Sequence, residues 1–120
     1  RAKEERVASS IEDVSFLCDI SDKSLRRYLK GEIEPKRDVI LKFAFGLKLY
    51  PRYISNLLEK ADCPISTNTK NFQTYQFLIS LGYGLGLDGI YILLKKYGKE
   101  NLLNFSDAFA VSCDKLCKEI

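Results

Sequence analysis

Four cations crowd one short stretch of this sequence. Residues 21–35 read SDKSLRRYLKGEIEP, with Lys23, Arg26, Arg27 and Lys30 set around Leu25, Tyr28 and Leu29. At helical period the three apolar residues, spaced i, i+3 and i+4, share an inner face and the cations take the outer one. Cations on one helix face can neutralise phosphates, which gives affinity for nucleic acid without sequence preference. An arginine fork can also bond the acceptor pair on a guanine edge, which gives preference. The plain alternative is a solvated helix face.

Little else in the chain is equipped for reactions. There is no histidine, so the commonest general base and metal ligand is missing. Of Cys18, Cys63, Cys113 and Cys117, only the last two are close, and C-x-x-x-C is not a usual zinc spacing. At i, i+4, beside Phe109 and Leu116, they read as small core hydrophobes. GYGLGLDG at 82–89 has glycines but no preceding strand and no following Lys-Ser/Thr, so it reads as a turn and not a phosphate loop. Phe72, Tyr75, Phe77 and Tyr83 have faces for stacking bases, yet at helical spacing they read as core. No catalytic residue, metal or cofactor is expected, and an enzyme is the poorest of the functional classes.

The elements that must carry the cations are helices. Ser10-x-x-Asp13 resembles a capping box ahead of Ile11, Val14, Leu17 and Cys18. Ser21 caps the cationic helix, Gly31 suits the left-handed residue that ends it, and Pro35 follows. Val39, Ile40, Phe43, Ala44 and Leu47 make a third helical face. Pro51 sits at a first turn ahead of Ile54, Leu57, Leu58 and Ala61. After the polar connector PISTNTKN come Phe72/Tyr75/Leu78/Ile79, then Ile90/Leu93/Leu94/Tyr97 closed by Gly98. Ser106 caps a last helix with Phe109, Cys113, Leu116, Cys117 and Ile120. About seven short helices are predicted, in an all-α bundle.

Composition agrees. At 120 residues and 46% hydrophobic, the chain has enough apolar content for a core. It has no apolar run of membrane-spanning length and no secretory signal, so no membrane partner is expected. Sparse cysteines fit a reducing, cytoplasmic setting. The chain starts at Arg1 and lacks methionine, as a piece of a longer protein would. Residues 21–52 hold nine Lys/Arg against four Asp/Glu, net +5, whereas residues 61–120 hold six of each. The field a phosphate backbone would feel is therefore concentrated in the first half.

A helix ending near Cys18, the turn Asp19-Ile20-Ser21 and a second helix to Lys30 spell a helix-turn-helix. Over residues 10–61 the sequence resembles the phage-repressor family of helix-turn-helix DNA-binding proteins. The likeness is carried by Ser10, Val14, Cys18, Ile20-Ser21, Leu25, Gly31 and Pro35, and by Leu41, Ala44 and Leu47 in the next helix. LLEKADCPIS is similar to the segment that follows this domain in some relatives. Asp19 stands where the family places a turn glycine, and Asp tolerates the left-handed region.

The resemblance implies that Asp22, Lys23, Arg26 and Arg27 face bases, that Lys30, Lys36 and Arg37 face phosphates, and that Ser21 belongs to the DNA-binding set. It also implies a DNA-binding unit over residues 1–62, with its first helix partly missing. Residues 66–120 form a helical extension for packing or dimerisation. The function expected is sequence-specific binding of double-stranded DNA in transcriptional control, with a homodimer as a further partner. The alternative is a protein-interaction module of a larger phage- or toxin–antitoxin-related protein.

Overall fold

Helical period dominates the sequence, and every regular element among the described residues is a helix. The computed structural model describes residues 11–119, with side chains through Lys115. Helix α1 covers residues 11–18. It is followed by α2 (Asp22–Leu29), α3 (Arg37–Gly46), α4 (Pro51–Lys60), α5 (Phe72–Leu81), α6 (Gly86–Lys96) and α7 (Asp107–Glu119). The chain is all-α, as its periodicity predicts. The expected cap at Ser10, the helix before it, and the side chains of Leu116, Cys117 and Ile120 lie outside the described residues.

The starts follow local chemistry. Ser21 Oγ accepts from the Ser24 amide at 3.1 Å, and Ser106 Oγ accepts from the Phe109 amide at 3.2 Å. Pro51 occupies the first turn of α4, where its missing N–H costs nothing. The ends share one device. At Gly31, φ is 76°; its amide bonds Tyr28 O and the Glu32 amide bonds Arg27 O, the paired closure that a left-handed residue permits. Asp19, Lys48, Asp62 and Gly98 take the same conformation after α1, α3, α4 and α6, with φ between 52° and 71°. The next amides, of Ile20, Leu49, Cys63 and Lys99, reach back to Ser15, Ala44, Leu58 and Leu94.

These abrupt stops let the helices pack in two apolar clusters. The larger joins α3 and α4 to α5, α6 and Leu103, through Leu41, Phe45, Ile54, Leu58, Tyr75, Leu78, Ile90 and Leu94 among others. The connector at 63–70 thus does not interrupt the core. The smaller cluster is Cys18, Ile20 and Leu25, flanked by Ile11, Val14, Tyr28, Val39, Phe43 and Leu47. Helix α1 lies so close to α3 that a Cβ on Gly46 would stand 2.6 Å from Cys18 Sγ and 2.7 Å from Leu17 O. No helix among the described residues is long and apolar enough to cross a membrane.

Phe77, expected in the core, is 45% exposed in the middle of α5, on the side away from Tyr75, Leu78 and Ile79. Three further residues assigned by period to inner faces are not inside. Leu17 is 46% exposed, Leu29 64% and Tyr97 64%. Each ends or nearly ends its helix, where the stripe has turned past the neighbouring element. Periodicity sets which side of a helix a residue is on, but the neighbour's length decides whether anything covers it.

Candidate nucleic-acid interface

Helix α2 is eight residues long, and tertiary contact must hold so short a helix. It offers the core Leu25 and, partly, Tyr28. The rest faces outward: Asp22, Lys23, Arg26, Arg27 and Lys30 are all exposed, as is the cap Ser21. Lys23, Arg26 and Lys30 make no ion pair among the described residues. Arg27 is drawn aside, its Nε 3.6 Å from Glu32 Oε2. Asp22 lies in the first turn and Arg26 and Arg27 in the last, so each also suits the helix dipole.

The two phosphate-facing candidates beyond α2 differ. Lys36 is exposed at the start of α3. Arg37 is half-buried and turned toward the connector. It donates to Cys63 O at 3.4 Å and Pro64 O at 3.3 Å, with its guanidinium 5.7 Å from the Tyr75 ring centre. The structure leaves Lys23, Arg26, Lys30 and Lys36 exposed and turns Arg37 to the connector carbonyls.

Lys42 and Asp19 reveal what the charge count conceals. Lys42 is 7% exposed, in the otherwise apolar run VILKFAFGL, which is the only sequence signal of its role. Its ammonium lies 3.3 Å from Asp19 Oδ2 and donates to Asn104 O at 3.2 Å. The Asp19 carboxylate also accepts from the Ser106 amide at 2.7 Å and from Ser106 Oγ at 2.6 Å. Asn104 Nδ2 donates to Asp38 Oδ2 at 2.8 Å. One of the nine cations of residues 21–52 is therefore spent inside the fold, on the turn that precedes α2.

The thiols are quiet. Cys18 is fully buried and donates to Phe43 O at 3.4 Å. Burial pushes its pKa up to about 12, against the pull of Lys42. Burial also raises the Cys63 thiol, with Arg37 opposing and Asp62 adding. Cys113 is 2% exposed, in keeping with a core role. No cluster of His, Cys, Asp and Glu suited to a metal ion occurs among the described residues.

No family model matches the chain, and no solved structure matches it at a significant level. One curated protein does: the tritrans,polycis-undecaprenyl-diphosphate synthase (geranylgeranyl-diphosphate specific) of Thermoplasma acidophilum, 30% identical over 80 residues. The aligned stretch is 67% of this chain but 30% of the synthase. The chain thus spans less than a third of that relative's length, and its likeness extends to a minor part of an enzyme.

Proposed function

We propose that the chain is a DNA-binding module of a transcriptional regulator and places α2 in the major groove of double-stranded DNA. The observation that carries this is the outer face of α2. Lys23, Arg26 and Lys30 are exposed and make no ion pair among the described residues, on a helix capped at both ends and preceded by a three-residue turn. A narrow, cationic helix suits a groove about 12 Å wide. Arg26 is the base-reading residue, and Lys30 and Lys36 neutralise phosphate. The setting is cytoplasmic, and the protein acts by binding rather than catalysis. A second copy would allow two half-sites about 34–36 Å apart to be read, and light scattering at tens of micromolar measures that association.

The experiment is a binding titration against selected and random duplexes at two or more salt concentrations. Arg26→Ala should cost about 1–3 kcal/mol on the selected duplex and relax its preference. Lys30→Ala should weaken all duplexes alike and flatten the salt slope by about one unit. Equal losses on selected and random DNA from both variants would remove the base-reading role. No binding to any duplex at low salt would remove the reading itself.

One observation favours a protein partner instead. Leu29 stands 64% exposed on a groove of about 530 Å³ between α2, α3 and α4, lined in part by Tyr28, Val39, Phe43 and Leu57. Asp22, Glu32 and Glu34, all exposed, interrupt the positive face around it. Leu29→Ser should leave DNA binding unchanged if α2 reads DNA.

A further inference from the structure

Helix α2 is weakly held by its own packing. Only Leu25 is buried among its eight residues, and the cluster it joins contains two other buried side chains, Cys18 and Ile20. Something else must decide how the helix is presented. The chain leaves α1 at Asp19 and enters α2 after Ser21, so a fixed Asp19 fixes the first residue of α2 to within one short turn.

Asp19 is fixed from outside the helix-turn-helix. Three donors converge on its carboxylate: the Ser106 amide, Ser106 Oγ and the Lys42 ammonium, at 2.7, 2.6 and 3.3 Å. Ser106 caps α7. The loop ahead of α7 is clamped a second time on α3, through Asn104 O to Lys42 and Asn104 Nδ2 to Asp38. Asn104 itself is left-handed, φ 54°. The α1–α2 turn, the middle of α3 and the start of α7 therefore meet at one buried ion pair. A well-packed apolar pair would stabilise such a place as well or better, because two charges lose their hydration on burial. What the charges add is directional: hydrogen bonds set one position of the turn, which apolar contact does not.

We infer that Asp19 is a positioning residue for the cationic face, and that the loop at 104–106, through Ser106 and Lys42, holds α2 in place. The inference rests on the proposed DNA-binding reading for its functional consequence, but its structural half stands alone. Detaching the loop removes the Asn104 carbonyl from Lys42 and two of the three donors from Asp19, leaving α2 on the small cluster. The coupling is reciprocal. Whatever loosens the start of α7 weakens binding through α2, and a duplex that orders α2 tightens the loop.

Native-state hydrogen exchange on the full chain tests this, with DNA titrations beside it. Asp19→Gly/Lys42→Met removes both charges together and keeps the left-handed turn, which glycine adopts without strain. Ser106→Ala removes the hydroxyl donor from the other side, leaving the Ser106 amide and Lys42, and Ser106→Thr retains the hydroxyl. Amides of α2, read at Leu25 and Leu29, should exchange about tenfold faster or more in the double variant and in Ser106→Ala. Those of Leu41 and Ile90 should change little, and Ser106→Thr should behave as the parent. DNA affinity should fall with α2 protection. If α2 and core amides accelerate by one common factor, Asp19 contributes only to overall stability; if neither changes, it holds nothing; either result overturns the inference. If the parent binds no duplex while α2 alone loses protection in the variants, the DNA reading fails and the positioning role stands.

Discussion

The two apolar clusters differ in kind as well as size. The larger contains thirteen buried residues from four helices and the loop before α7, with no charge inside it. The smaller contains three and borders a buried lysine–aspartate pair. The larger cluster sets the stability of the molecule, since stability grows with apolar area removed from water. The smaller sets the placement of one functional helix. An element meant to adjust to a partner is drawn from the weakly held end of a structure, and α2 fits that description.

The comparison can be broken at its strongest point. Phe45 is fully buried in the larger cluster, and Phe45→Ala should cost about 3–5 kcal/mol. Chemical denaturation should show a single transition at lower denaturant, and exchange should rise throughout the chain. A loss confined to α3 would mean that the larger cluster is not one cooperative unit.

Asp19→Gly by itself should come next. It relieves a left-handed backbone but strands Lys42, and an uncompensated buried charge costs about 3 kcal/mol or more. The accompanying Lys42→Met should recover most of that in global stability. A neutral or stabilising Asp19→Gly would show that the ion pair carries little.

Gly46→Ala sharpens the boundary between the clusters. Its Cβ would press on Cys18 Sγ, Cys18 Cα and the Leu17 carbonyl, all under 3.0 Å away. Two of these are backbone, so α1 must move, at a cost of about 1–3 kcal/mol. Protection should fall in α1 and α2 and persist in α5 and α6. Equal loss in all four helices would make the two clusters one.

The smallest effect has the opposite sign. Lys48 is as left-handed as Asp19, φ 56° against 52°, but it is exposed and makes no ion pair among the described residues. Lys48→Gly should stabilise by about 1 kcal/mol, the strain that a Cβ adds in that region. The denaturation midpoint should rise with an unchanged slope. The same substitution at the same kind of position would then lower stability at one site and raise it at the other. The difference lies in what the side chain at Asp19 holds.

Much of this was legible in the sequence because it is local. Ser21, Pro51 and Ser106 cap or start helices through bonds within one turn, and Gly31 and Gly98 end them with a conformation that glycine signals. The apolar spacing located Leu25, Ile54, Leu58, Leu78, Ile90 and Leu94 in the core. The outward set Lys23, Arg26 and Lys30 followed from the same period. Three helix ends were harder to see. Asp19, Lys48 and Asp62 adopt the glycine conformation without being glycine, because the paired hydrogen bonds and the packing beyond them outweigh a cost of about 1–2 kcal/mol each.

Tertiary structure alone decided the rest. Whether Leu29 was covered depended on how far α3 and α4 reach, which no period encodes. Arg37 looked like a phosphate contact until the connector returned over it with two carbonyls. Lys42 belonged to a basic segment by position and to the interior by contact. The bonds that decide how α2 is held join residues 62, 66 and 87 positions apart. At such separations a sequence shows the donors and acceptors but not their pairing. Pairing is selected only when the apolar helices close and leave each buried polar group one geometry in which it is satisfied.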